Sequence, residues 1–212
     1  ATCVCIAFFV VLITVIIPNV KYTSALALIE EEEYFKAYEA LSTLNGYKDS
    51  ESKMQEIYKE YRYGQLSYAE IGDTVVFGSY EQDNSLDNGK EDIEWLVLEK
   101  QPDKVLVISK YGLDCKPYND EDVDIIWKNC TLRKWLNEDF FKTAFDNSQQ
   151  SKIAETRSNP VTIDRVFLLS TDEAEEYFLS SDERLCEPTE YAVAQDVNLD
   201  DMNGCSWWWL RS

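Results

Sequence analysis

Asp196, Asn198 and Asp200 stand at alternate positions in Asp196-Val197-Asn198-Leu199-Asp200, a spacing that lets successive oxygen ligands reach one calcium ion. A calcium loop would continue with glycine at its sixth position and glutamate at its twelfth, where this chain has Asp201 and Trp207. Calcium is therefore a candidate ligand only, and an acidic surface loop is the plainer reading. Asp83 to Glu94 departs from the template in the same way, with Asn88 at the glycine position. Near the first loop, Tyr191 and Trp207 add aromatic faces. Tyr191, Asp196, Asn198, Asp200 and Trp207 together could offer a sugar or a peptide stacking platforms and polar acceptors.

Catalysis has less to draw on. The chain contains no histidine, which excludes Ser-His-Asp and Cys-His nucleophile machinery and removes the commonest transition-metal ligand. An enzymatic reading would rest on carboxylates such as Asp114, Asp120 and Glu187, and would need a pair of them in a deep pocket with a raised pKa. No catalytic residue is assigned. Cys115, Cys130, Cys186 and Cys205 match no zinc ribbon and include no close pair of the kind that would hold copper in an oxidase. They are either buried thiols or, outside the cell, partners in disulfides with three possible pairings. The formal net charge of −20 repels phosphate backbones and argues against nucleic acid as a partner.

Three kinds of segment must position these residues. Every charged residue lies at or beyond Lys21, and Val4 to Ile17 is almost entirely apolar. Residues 1–20 thus predict a transmembrane anchor with the lipid bilayer as its partner, stopped by Pro18-Asn19 and flanked by interfacial Lys21 and Tyr22. A signal peptide cleaved at Ala25-Leu26-Ala27 is the competing reading, but that site lies well past the apolar run. Cys3 and Cys5 fall inside the anchor. Residues 22–66 form the second segment. Leu26, Ile29, Phe35, Ala37, Tyr38, Ala40, Leu41 and Leu44 recur at helical intervals; Asn45-Gly46 is a stop, and Asp49 or Ser50 is a cap for a helix through Met54, Ile57, Tyr58 and Tyr61. This is a short helical stalk in which Ala37, Ala40 and Leu41 resemble half a tetratricopeptide unit.

From residue 68 to 212 the period changes. Strands are expected at Asp73 to Tyr80, Ile93 to Glu99 and Val105 to Ser109, with a tight turn at Gln101 to Lys104. A short helix follows at Thr131 to Leu136, strand material at Val166 to Ser170, and a helix over Thr171 to Phe178 with Thr171 as its cap. Irregularly interleaved strands and helices mean an α+β domain. Ser206 to Ser212, with its three tryptophans, reads as an apolar strand wanting neighbours, which predicts a domain incomplete at its C-terminus.

The blocks Gly78-Ser79-Tyr80-Glu81-Gln82-Asp83-Asn84, Ile93 to Leu98, Ser109 to Cys115, Cys130 to Asn137, Val166 to Ser170 and Trp208-Trp209-Leu210-Arg211-Ser212 occur in that order. Together they resemble an uncharacterised bacterial domain family, common in Firmicutes, that often follows a membrane anchor and a tetratricopeptide-like segment. Gly46-Tyr47-Lys48-Asp49-Ser50 is similar to the link that precedes it. The resemblance implies a C-type-lectin-like fold, related in architecture to formylglycine-generating enzymes, and no established activity. The resulting expectation is a non-enzymatic, membrane-anchored module of the cell envelope. The bulk of the chain would lie outside the cytoplasm and bind an unknown extracellular glycan or protein. A carboxylate-based enzyme on the same fold and a helical scaffold for envelope proteins are the alternatives.

Overall fold

A computed structural model describes residues 12–212, so Cys3, Cys5 and most of the expected anchor lie outside the described residues. The chain is mixed α+β with two small sheets, and it divides into two units at Ala69 and Glu70.

The first unit is helical. A π-helical turn, Leu12–Ile16, leads into α1, Ile17–Glu30, followed by α2, Tyr34–Ser42, and α3, Ser50–Tyr68. The stop expected at Pro18-Asn19 is absent. Pro18 sits in the first turn of α1, where its missing N–H is not needed, and the wider π turn precedes it. Tyr22 and Ala25 of α1 pack with Ala37, Leu41, Leu44 and Ile57 in a common core. Aromatic rings zip α2 to α3: Phe35 stacks on Tyr68 at 4.4 Å between centroids and Tyr38 on Tyr61 at 3.9 Å. Gly64 leaves room for Phe35, whose Cβ would lie 3.2 Å from any Cβ placed there. Asp49 occupies the N-cap position of α3 without capping it, because its carboxylate accepts the Tyr22 hydroxyl instead. Ser50 is buried.

In the second unit β1 (Thr74–Tyr80), β2 (Glu91–Lys100) and β3 (Val105–Ser109) form an antiparallel meander with Val75 opposite Trp95 and Val97 opposite Val107. The Gln101 N–H closes the β2–β3 turn on the Lys104 carbonyl at 2.8 Å. Both faces of this sheet are covered. A helical run, α4 (Thr131–Trp135), a π-helical turn (Leu136–Phe140) and α5 (Phe141–Ala144), brings Phe145 against Phe77 and Trp95. Gly78 makes that approach possible: its φ is +77°, and a Cβ there would lie 2.5 Å from the Phe145 ring. Leu98 faces the other side with Leu169, Ala174 and Phe178, and Leu106, Trp208 and Leu210 pack around them.

The sequence missed α6 (Asn147–Lys152) and the hairpin of β4 (Thr156–Asn159) and β5 (Thr162–Asp164). Val166 to Ser170, expected as a strand, joins neither sheet; Leu169 receives a single backbone bond, from the Arg211 N–H at 3.0 Å. The helix after it, α7, spans Thr171–Tyr177, and its cap is Ser170 rather than Thr171. Ser170 and Glu173 bond each other's backbone N–H groups in a capping box, which leaves Thr171 as the first helical residue. A last helix, α8, spans Glu190–Ala194.

Candidate functional site

The face expected to bind ligand is built by α8 and the loop that follows it. The Thr189 side chain caps α8 through the Ala192 N–H at 3.1 Å. Helix α8 is tied to the meander at two places: the Tyr191 N–H donates to the Gln82 carbonyl at 3.0 Å, and the Thr189 N–H donates to the Gly112 carbonyl at 2.9 Å. The Tyr191 ring sits edge-on to Tyr80 at 5.9 Å, so Tyr191 is part of the packing between α8 and β1. Beyond the helix, Asp196 takes a left-handed conformation with φ +64°, and Asp196 and Asn198 are exposed. The Asp200 N–H and the Cys205 carbonyl close a turn at 2.9 Å, and the Asp200 carboxylate accepts the Met202 N–H at 2.8 Å within it. Asp200 therefore shapes its own loop. Leu199 bridges to Ser206, which places Trp207 directly after the loop's closing residue.

The tryptophans divide by face. Trp208 turns inward: its ring meets Phe178 at 6.4 Å, and its Nε1–H donates to the Arg184 carbonyl at 3.0 Å. Trp207 and Trp209 turn outward and are 75% and 52% exposed, and the run, expected as an apolar strand, joins neither sheet. Alternation is what an extended segment imposes, with Trp208 and Leu210 on the core side. Trp209 is held in place by its Nε1–H, which donates to the Lys116 carbonyl at 3.1 Å, and by the Tyr118 ring at 5.6 Å.

Among the described residues, the acidic side chains that converge are Glu81, Asp83 and Glu91, whose oxygens lie within 4.8 Å of one another. The β-ladder explains their meeting, because Glu91 opposes Tyr80, the last residue of β1, and Glu81 comes directly after it. Glu91 accepts the Gln82 N–H at 2.7 Å; Glu81 and Asp83 each accept the Ser85 N–H at 2.9 Å. Burial pushes the Glu81 carboxyl up, while the Asn88 amide holds Asp83 down. Such a set suits a hard cation or a shared proton. The Asp- and Asn-rich connection was the sequence signal for it; the strand register that selects Glu91 over Glu94 was not visible.

Of the carboxylates considered for catalysis, that of Asp114 is otherwise employed. Asp114 accepts the Tyr80 hydroxyl at 2.6 Å and pairs with Lys116 at 3.2 Å. Burial, helped by that Asp114 contact, pushes the Tyr80 hydroxyl far up. Asp120 and Glu187 lie elsewhere, and only their backbone groups are drawn in: the Asp120 N–H donates to the Thr131 hydroxyl at 3.0 Å and the Glu187 carbonyl accepts the Gly112 N–H at 2.9 Å. A separate cleft of ≈ 300 Å³ is lined by Arg133, Asn137, Glu155, Asp164 and Arg165 among others. Two ion pairs close within it. Asp164, with no exposed side chain, accepts Arg133 at 2.7 Å, Trp127 at 3.0 Å and the Ser158 hydroxyl, and Arg165 pairs with Glu155 at 2.7 Å. Asn137 satisfies both its oxygen and its nitrogen on the backbones of Arg133, Arg165 and Val166. This is a structural clamp on the β4–β5 hairpin. Cys115, Cys130, Cys186 and Cys205 are free thiols, and burial raises that of Cys186.

A protein-family model described as a domain of unknown function (DUF6273) matches residues 102–212. No curated protein and no solved structure matches the chain.

Proposed function

The chain belongs to the DUF6273 family, a domain of unknown function, and from that premise we propose that it is a membrane-anchored, extracytoplasmic module of a bacterial envelope that binds carbohydrate through Trp207 and Trp209. The observation that carries this reading is the outward pair of indoles on a segment whose intervening residue, Trp208, is locked into the core. Exposed aromatic rings stack on the apolar faces of sugars, and rigid placement keeps the ordering cost of binding small. Asp196 and Asn198, exposed on the neighbouring loop, add polar acceptors. Anchoring is supported by a helix, Leu12–Glu30, long and apolar enough to cross a bilayer. The finer likenesses are part of the same proposal: a C-type-lectin-like domain, set after a tetratricopeptide-like stalk in a Firmicutes envelope protein. A protein ligand on the same face is the alternative that the test separates.

The test uses the full chain in nanodiscs, titrated with N-acetylglucosamine oligomers and a panel of envelope polysaccharides while tryptophan emission is followed. Binding shifts the emission to the blue, and Trp207→Ala and Trp209→Ala each abolish the shift, the first without changing the melting temperature. Saturation by no glycan, with both variants indistinguishable from the parent, would sink the carbohydrate reading. Protease added to intact cells should remove the C-terminal part; its protection would reverse the orientation.

A further inference from the structure

A second question rests on the anchoring proposed above: where the polypeptide leaves the bilayer, and what meets the lipid there. The candidate span runs Leu12–Glu30, and one face of its second half is covered by protein at Tyr22 and Ala25, while Val20 on that half stays exposed. Ile13, Val15, Ile16 and Ile17 are exposed apolar side chains without protein cover. From Asn19 onward the helix is engaged by the α2–α3 loop. The Lys48 ammonium donates to Asn19 Oδ1 at 2.6 Å and lies 4.7 Å from the Tyr22 ring centre and 5.5 Å from that of Tyr47. The Tyr22 hydroxyl donates to Asp49, and Ala25, one turn further on, is fully buried against the hairpin.

Lys48 and Asp49 therefore travel with Asn19 and Tyr22. Carrying the Lys48 ammonium and the Asp49 carboxylate into the bilayer interior is costly. That cost keeps Lys48 and Asp49 out of the hydrocarbon and sets its boundary near Asn19, with Tyr47 to Asp49 level with it. Charge follows the same axis. Lys21 is exposed at this level, one residue before Tyr22, whereas the first acidic residue along α1 is Glu30, roughly 16 Å higher at 1.5 Å per residue. Asp49 is occupied by Tyr22, and the Glu51 carboxylate lies beside Gly46 in the same loop. In a chain of net charge −20, two cations and two tyrosines gathered at the exit of an apolar helix complement phospholipid headgroups.

We propose that the α2–α3 loop is a headgroup-binding surface. Lys21 and Lys48 contact lipid phosphates, the half-buried Tyr47 lies in the interface, and the hairpin stands on the bilayer with its loop down and Glu30 to Glu33 turned away. Helix α1 passes unbroken from lipid into this hairpin, so the stalk is seated on the membrane and does not swing from it.

The full chain reconstituted in phosphatidylcholine–phosphatidylglycerol vesicles, doped with a phosphatidylethanolamine bearing a headgroup diazirine, provides the test. Flotation after an alkaline wash reads anchoring by itself; illumination, digestion and mass spectrometry then map contact. Adducts are expected on Lys21 and on Thr43 to Lys48, and none on Glu30 to Lys36. In Lys48→Glu the loop adducts are lost while the chain still floats. Flotation with adducts spread over both ends of the hairpin, or confined to Glu30 to Lys36, overturns the seated stalk and leaves the anchor standing. A chain that fails to float overturns the anchor itself.

Discussion

Asp164 shows how one buried carboxylate can organise a region that apolar patterning leaves unspecified. Burial alone would push it up, but hydrogen bonds from Arg133, Ser158 and Trp127 outweigh that effect and hold its carboxyl below the ordinary 3.8. Glu173 behaves likewise: burial raises it, and the Arg211 guanidinium, bonded to both carboxylate oxygens at 2.5 Å, brings it below 4.5. A depressed carboxyl contributes stability that is complete above its unfolded-state value and is lost as pH falls through the folded one. Glu81 has the opposite sign, since burial raises it above 4.5, and its contribution is present at low pH and lost as pH rises through its folded value. Melting temperature against pH should therefore fall away on the acid side below about pH 4. Asp164→Asn flattens that limb, and Glu81→Gln removes the decline on the other. At neutral pH Asp164→Asn also leaves the Arg133 guanidinium without its counter-charge, which should cost about 3 kcal/mol in a urea titration.

Helix α7 depends on its first turn in the same way that the meander depends on its turns. The Ser170–Glu173 box satisfies two backbone donors at once, so Ser170→Ala should lower stability by about 1 kcal/mol and speed amide exchange in Thr171–Tyr177 before the meander opens. That box was written in the sequence as Ser170-Thr171-Asp172-Glu173; choosing Thr171 overlooked the three-residue reach to Glu173. The strands β1 to β3 were legible because alternating apolar residues end in turn chemistry, as at Gln101 to Lys104. Helix α6 was not, because Asn147–Lys152 carries no apolar residue and is specified by the Asp146–Gln149 box. The β4–β5 hairpin was not either. Its inward residues, Ser158, Thr162 and Asp164, are polar, and a period-two search for hydrophobic residues passes over them. At the site, residue types were legible and facing was not: no spacing rule says that Trp208 turns inward while its two neighbours turn out.

At the scale of the whole molecule, charge and redox chemistry dominate. A formal charge of −20 on 212 residues makes the folded state repel itself. The ion pairs at its surface, such as Lys100 with Glu70 and Lys110 with Glu94, contribute little individually. Raising ionic strength from about 10 mM to about 150 mM shortens the screening length from roughly 30 to 8 Å and should raise the melting temperature. A fall would mean that attractive pairs outweigh the net repulsion. Free thiols at Cys115, Cys130, Cys186 and Cys205 leave the fold to rely on packing and polar networks for its cohesion.

Arg211 joins distant stretches of the second unit. Its guanidinium reaches Glu173 and the Leu168 carbonyl, its N–H meets Leu169, its carbonyl receives Tyr118, and Thr171 bonds the carbonyl of Ser212. These two residues act as a latch: excising them would unfasten the opening of α7 and release Tyr118 together. Affinity handles for purification are therefore best attached far from this position.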